Sequence, residues 1–370
     1  MEEESNSSDE EFDSSVEDTE ESDSWVDNTE EESDSSDDDP ELQEKQDRIS
    51  ALPDLLIHHI LSLLPSTKQA IQTGILSKRW RNQWARVPVL IFECQEYHDE
   101  YFERFIDNSL LLYDCSKIKK FHIACRFQGA TNFTSKILFA TRRNVEELIL
   151  DFYNSGDPKD AYMLPKFIFD NSSLVELQVL SCEFQIPREG CDKTMARKIL
   201  MEIQHFKELK VRNSFVKIAS ALHTERLSYP LLHVKCLTLD CPYFEHTLGI
   251  VNVLRCSPEL ERLVIKLDVN QFPKTADLDL KFYEESYWMS NGIVFTCLMT
   301  HLKTVKIIGL SKKDGNREVL SFVEFLLKNS RVLEKMVLKL GDGGTDFLVE
   351  VSQKLLSIPR CSQHAIIELL

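Results

Sequence analysis

Two histidines and two cysteines fall close together at His233, Cys236, Cys241 and His246, and these are the residue types that hold zinc. Their spacing fits no usual finger, so the stretch reads instead as an apolar segment in which thiols act as small hydrophobes. The GDGG run at Gly341–Gly344 follows a strand-like segment, but neither a helix start nor the lysine of a phosphate loop comes after it, so it reads as a turn. Cys94 or Cys361 as a nucleophile needs a matched base that spacing does not supply. His58 and His59 stand side by side where a helix is expected, facing solvent or a partner. There is no GxSxG and no HExxH. No catalytic constellation, metal set or cofactor signature emerges, and the expectation is a protein that is not an enzyme and carries no cofactor.

The charge is uneven. Residues 1–44 hold 22 Asp and Glu and no Lys or Arg, against a formal net charge of −18, so the rest of the 370-residue chain carries +4. A remainder so near neutrality argues against a general basic face, and no nucleic-acid partner is expected. The acidic stretch is nearly all Glu, Asp and Ser, which leaves nothing to build a core, so 1–44 is expected to be a disordered tail. Ser7, Ser8, Ser14, Ser15, Ser24, Ser35 and Ser36 each have a carboxylate three residues on, the pattern of an acid-directed kinase, and a solubilising leader is the competing reading. None of the ten cysteines forms a CxxC pair, which fits a reducing compartment. With no signal-like N-terminus and no apolar run of the roughly 18 residues a membrane helix needs, no membrane association is expected, and localisation is expected to be intracellular, in the nucleus and/or cytoplasm.

The elements that position everything else begin after the tail. Pro53, read as a first helical residue with Asp54 beside it, opens a helix on which Leu56, Ile60, Leu63 and Leu64 form a stripe, widened by Leu55, Ile57 and Leu61. Pro65 ends it and Ser66 with Thr67 starts a second helix bearing Ala70, Ile71, Ile75 and Leu76. The basic run Ser77–Arg81 leads into a third segment with Trp80 and Trp84. A unit this short does not bury a large core by itself and needs a partner.

These residues resemble the F-box of plant proteins, in the stretches DRISALPD at 47–54, LSLLPSTKQA at 61–70 and LSKRWRNQW at 76–84. In that family the motif docks on the Skp-type adaptor of a cullin-based ubiquitin ligase. The resemblance implies a three-helix F-box over 45–93 in which Leu52, Pro53, Leu56, Ile60 and Leu63 face the adaptor, helped by Leu76 and Trp80. Two positions depart from the family: Gly74 where a serine is usual, and polar Gln83 where a larger apolar residue is usual.

Beyond the unit, Val87–Phe92 reads as a strand whose Pro88 suits a sheet edge. An apolar-x-x-apolar-x-apolar template then recurs eight times, at Ile118/Phe121/Ile123, Val145/Leu148/Leu150, Leu174/Leu177/Val179, Phe206/Leu209/Val211, Val234/Leu237/Leu239, Leu260/Leu263/Ile265, Leu302/Val305/Ile307 and Leu333/Met336/Leu338. Most steps lie near the upper end of the roughly 20 to 29 residues typical of leucine-rich repeats. The fold class expected is therefore α/β: the F-box followed by an irregular leucine-rich-repeat solenoid, in the form of an uneven arc, over 94–290. Helical returns are expected around Leu248, Val251 and Leu254 and over Glu318–Asn329, and a plain loop over Asn154–Asp160. The asparagine usual after the strand of such repeats is replaced by Asp151, Cys182 and Asp240 among others. Residues 269–296 lengthen one connection, and their Phe272, Phe282, Tyr283, Tyr287 and Trp288 are expected to pack over the array.

Trp288, CLMTHLKTVKIIGL at Cys297–Leu310 and EVLSFVEFLLKNSRVLEKMVLKL at Glu318–Leu340 resemble the FBD region that ends many plant F-box proteins, here 291–370, with Phe295 and Thr296 in place of the usual Pro-Glu pair. The function these resemblances imply is a substrate-recognition subunit: the F-box binds the Skp-type adaptor, and through it a cullin, while the array holds a protein substrate. The rival is a scaffold outside any ligase whose acidic tail binds basic proteins. A small-molecule coreceptor is a third reading to which no residue set points.

Overall fold

In each repeat the last two apolar residues of the template stand two apart, so an extended chain puts them on one face, and the third lies one turn upstream. The computed structural model bears this out. It describes residues 48–94, 100–126, 133–153, 162–180, 182–183, 193–220, 231, 233–241, 247–267, 295–311, 316–341 and 345–370. The acidic tail, the loop at 154–160 and nearly all of the long connection at 269–296 lie outside the described residues.

The strands are β1 (Val89–Glu93), β2 (Lys120–Arg126), β3 (Glu147–Tyr153), β4 (Tyr162–Met163), β5 (Glu176–Leu180), β6 (Cys182–Glu183), β7 (Glu208–Arg212), β8 (Cys236–Asp240), β9 (Arg262–Lys266), β10 (Thr304–Leu310), β11 (Lys335–Leu340) and β12 (Ile366–Leu369). All but β4 and β6, which pair with each other, join one ten-stranded sheet in the order in which the chain makes them. Every pairing is parallel. Each strand is laid beside its predecessor, the topology of a leucine-rich-repeat type of solenoid. The 24 apolar residues of the eight templates are each at most 1% exposed.

The helices are α1 (Asp54–Ser62), α2 (Thr67–Gln72), α3 (Glu100–Leu112), α4 (Thr134–Thr141), α5 (Lys193–Glu202), α6 (Asn213–Ser220), α7 (Thr247–Cys256), α8 (Thr296–Thr300), α9 (Asn316–Asn329) and α10 (Thr345–Ser357). The two expected helical returns are α7 and α9. Those from α3 onward contribute Ile106, Ile137, Ile199, Phe215, Val251, Phe322 and Val351 to the core beneath the sheet. The other sheet face is half-buried to exposed along most strands. All-parallel sheets are ordinarily covered on both faces; here, among the described residues, no helix covers the second face.

A backbone ladder runs along the strand starts. In five repeats an N–H at or just before the strand start donates to a carbonyl of the preceding repeat: Glu147 to Lys119 (2.8 Å), Lys207 to Val175 (2.9 Å), Lys235 to Lys207 (2.9 Å), Glu261 to Lys235 (2.9 Å) and Glu334 to Lys303 (2.9 Å). Gly309 has φ +89° beside the Leu267 carbonyl, at the register shift between β10 and β11, a conformation L side chains rarely adopt. Gly249 lets α7 lie against the backbone of α6, where a Cβ would collide with the Val216 carbonyl.

The N-terminal unit differs from the expected three helices. Only α1 and α2 are α-helices; Thr73–Ile75 and Gln83–Arg86 are single 3-10 turns. Bonds from Trp80 to Ser77, Gln83 to Trp80, Ala85 to Asn82 and Val87 to Trp84 all span three residues. Pro88 holds Val87 extended, at φ −80° and ψ 128°, so the chain has room for one tight turn before β1. Pro53 caps α1 instead of lying inside it, its carbonyl accepting from Ile57 (3.1 Å).

Candidate functional site

The unit at 49–92 has a small core of its own: Ile57, Leu61, Ala70, Trp80, Trp84, Ala85 and Val87. The resemblance put Trp80 with the docking residues, and its burial departs from that expectation. Trp80 is 3% exposed, and its indole N–H donates to the Ile49 carbonyl at 3.3 Å, so it fastens the incoming chain to the unit and offers no outer face. Trp84 lies in the same small core, and only Leu90 and Phe92 enter the core of the array.

The remaining docking candidates stand outside. Leu56, Ile60, Leu63 and Leu76, with Leu55, Ile75 and Ile49, expose between 40 and 90% of their surface. Pro53 is exposed and Leu52 is half-buried against the small core. Seven of the eighteen large apolar residues exposed among the described residues thus fall within 49–76. Isolated exposed apolar residues are ordinary, but a contiguous apolar skin on one short segment marks an interaction surface. Leu55 and Ile75, the most exposed, were not singled out as contact residues from the sequence; Leu55 was read as part of the stripe and Ile75 as part of the second helix.

The skin is held by polar contacts behind it. Arg79 donates to the Ser50 carbonyl (2.5 Å) and to Asp54 Oδ1 (2.7 Å), and this bond holds the Asp54 carboxyl below the usual carboxylate range. Ser66 caps α2, its hydroxyl accepting from Gln69 N–H at 3.3 Å. Thr67 Oγ1 accepts from Ile91 N–H at 2.8 Å and so ties α2 to β1, the first strand of the sheet. Tyr113 Oη donates to the Val87 carbonyl (3.0 Å), a second tie. Both departures from the family pattern find structural partners. Gln83 Oε1 is 2.7 Å from His58 Nε2, and a Cβ on Gly74 would press on the Arg81 backbone at 3.1 Å.

The open sheet face is the second surface. Its inward neighbours are apolar, while its outward rows carry Lys120, Glu147, Glu176, Glu208, Cys236, Arg262, Thr304 and Lys335 side by side. In the next row His122 is pushed down to about 4, first by burial and then by the Lys120 and Lys210 charges. Its Nδ1 lies 3.3 Å from a Glu93 carboxylate oxygen, and burial keeps the ring neutral at neutral pH. Burial pushes the Cys182, Cys241 and Cys297 thiols up, the last two to about 12, which leaves them unsuited as nucleophiles. Among the described residues no helix is long and apolar enough to cross a membrane, and no group of three metal-ligand side chains comes together.

A parallel one-sided repeat sheet with a helical unit presenting an apolar skin at its first strand defines a class of interaction protein. Comparison with known proteins narrows it. The FBD family matches residues 291–338, which take in α8, β10, α9 and most of β11. An F-box/LRR-repeat protein of Arabidopsis thaliana is 25% identical over 82% of this chain and 88% of its own length. F-box/LRR-repeat protein 25 of the same plant is 37% identical over 39% of this chain and 54% of its own length, and an F-box/FBD/LRR-repeat protein is 32% identical over 44% and 38%. The chain is thus similar to plant F-box/leucine-rich-repeat proteins, and its residues 291–338 match the FBD family.

Proposed function

We propose that the chain is the substrate-recognition subunit of a Skp-cullin-F-box ubiquitin ligase. The observation that carries this reading is the apolar skin at Leu56, Ile60, Leu63 and Leu76, set outside a separate small core. Covering what these partly buried side chains still expose contributes up to about 1.5 to 3 kcal/mol each, set against association costs of about 4 to 15 kcal/mol. The partner reached by this route is a Skp-type adaptor and, through it, a cullin, within the nucleus or cytoplasm.

The open sheet face then holds a protein substrate near the activated ubiquitin, and the gain is effective concentration. No bond is made or broken by this chain's own side chains. The test is copurification from plant cells: the adaptor is recovered with the parent chain and lost with Leu56→Ala plus Ile60→Ala at unchanged thermal stability. Recovery of basic proteins without any adaptor supports the scaffold reading instead, in which the 22 carboxylates of residues 1–44 are the binding element.

A further inference from the structure

The outward residues of β9, β10 and β11 fall into three rows by register: Arg262, Thr304 and Lys335; Val264, Lys306 and Val337; Lys266, Ile308 and Lys339. Cations therefore occupy the four corners and the centre of a tile, and Thr304, Val264, Val337 and Ile308 fill the positions between them. With strands about 4.8 Å apart and same-face residues about 6.7 Å apart, the tile measures roughly 10 by 13 Å. Like charges side by side on a sheet are destabilising, and no carboxylate lies within the tile. Among the described residues, carboxylates stand on its flanks: Glu368 of β12 bonds Lys335 at 2.7 Å, and Asp240 of β8 is the register neighbour of Lys266. Arg262, Lys335 and Lys339 are exposed, Lys266 and Lys306 half-exposed.

We infer that this tile, at the FBD end of the array, is the docking site for an extended acidic protein segment whose carboxylates alternate with apolar residues. The inference rests on the receptor reading and names the chemistry of its substrate. An extended segment repeats its side chains at the same spacing as the sheet below it, so carboxylates settle over the cations while apolar residues meet the half-buried Val264 and Ile308. A nucleic acid fits less well. The tile centre is flanked by aliphatic side chains that suit apolar side chains and not a sugar-phosphate backbone, and Glu147, Glu176 and Glu208 form an acidic row farther along the same face.

The test uses the full chain and a short fluorescein-labelled peptide alternating Glu with Leu and Thr, read by anisotropy. Binding is expected to weaken as salt is raised, and to weaken about tenfold or more in Lys306→Glu and in Arg262→Glu. Lys217→Glu on α6 makes the same charge change on an exposed helix position and is expected to leave affinity within about twofold. Lys306→Gln, with expected weakening of about threefold, covers the case in which Lys306→Glu does not fold. No binding to the parent chain, equal loss in Lys217→Glu, or tighter binding of a single-stranded oligonucleotide of equal charge overturns the inference. Adaptor copurification without peptide binding leaves the receptor reading standing and removes this one; peptide binding without the adaptor does the reverse.

Discussion

The helical unit and the repeat array distribute the same apolar residue types in opposite ways. In the array the template residues are shut beneath the sheet, each at most 1% exposed, and the open face carries charge. In the unit, a seven-residue core supports an outer layer of leucine and isoleucine left in water. A stack of repeats can hide its apolar face against its own helices, because each unit adds a strand and a return. A stretch near 40 residues has too little interior for that, and what it leaves outside becomes available to another chain. The two regions thus fail differently, and variants can separate them.

The largest separation is expected from Leu56→Ala plus Ile60→Ala, which should cut adaptor capture about a hundredfold in a pull-down titration with melting of the array unchanged. Comparable losses of melting temperature and capture would collapse the distinction. Trp80→Ala should cost about 3 kcal/mol within the small core. Its signature is faster amide exchange over 49–87 and weakened capture, with exchange in β5 to β11 unaltered. Gly249→Ala is the mirror case. The added Cβ meets the Val216 carbonyl, and a loss of about 2 kcal/mol in the urea midpoint of the array is expected, with the unit and its adaptor binding intact.

A smaller effect comes from pH. Burial lowers His122 to about 4 in the folded chain, below its ordinary value near 6.5, so the unfolded chain takes up the proton first as pH falls. Stability from this residue is therefore full above pH about 6.5 and lost progressively between about 6.5 and 4, up to about 3 kcal/mol. His122→Asn should flatten that part of the stability profile, measured by urea unfolding at several pH values. Smallest is the rim pair Lys235–Glu261 at 2.8 Å, exposed on both sides. Lys235→Ala should change array stability by less than about 1 kcal/mol, and a larger change would give the charged rim a structural role it is not assigned here.

Most of the array was legible because its signal is local and repeated. Period-two apolar pairs and the helical spacing at Leu248–Leu254 and Glu318–Asn329 each report on a few consecutive residues, and the template recurs often enough to outweigh irregular steps. Missed were the returns at α3, α4, α5, α6 and α10 and the last strand β12, the last lying beyond the final template. In the unit, the exposure of Leu56, Ile60, Leu63 and Leu76 was legible from spacing and family likeness. Trp80 was not, because a tryptophan inside the motif reads equally as a contact or a brace.

By itself the sequence determined which residues alternate, where the chain turns and that one stretch is too small to enclose its own apolar surface. These are properties of neighbours along the chain. Only the tertiary structure decided that Trp80 faces inward and Leu55 outward, since that depends on which side Ile57, Leu61 and Val87 close upon. It alone also placed Arg262, Lys266, Lys306, Lys335 and Lys339 on one tile, because residues up to 77 positions apart become neighbours only when parallel register sets strand beside strand.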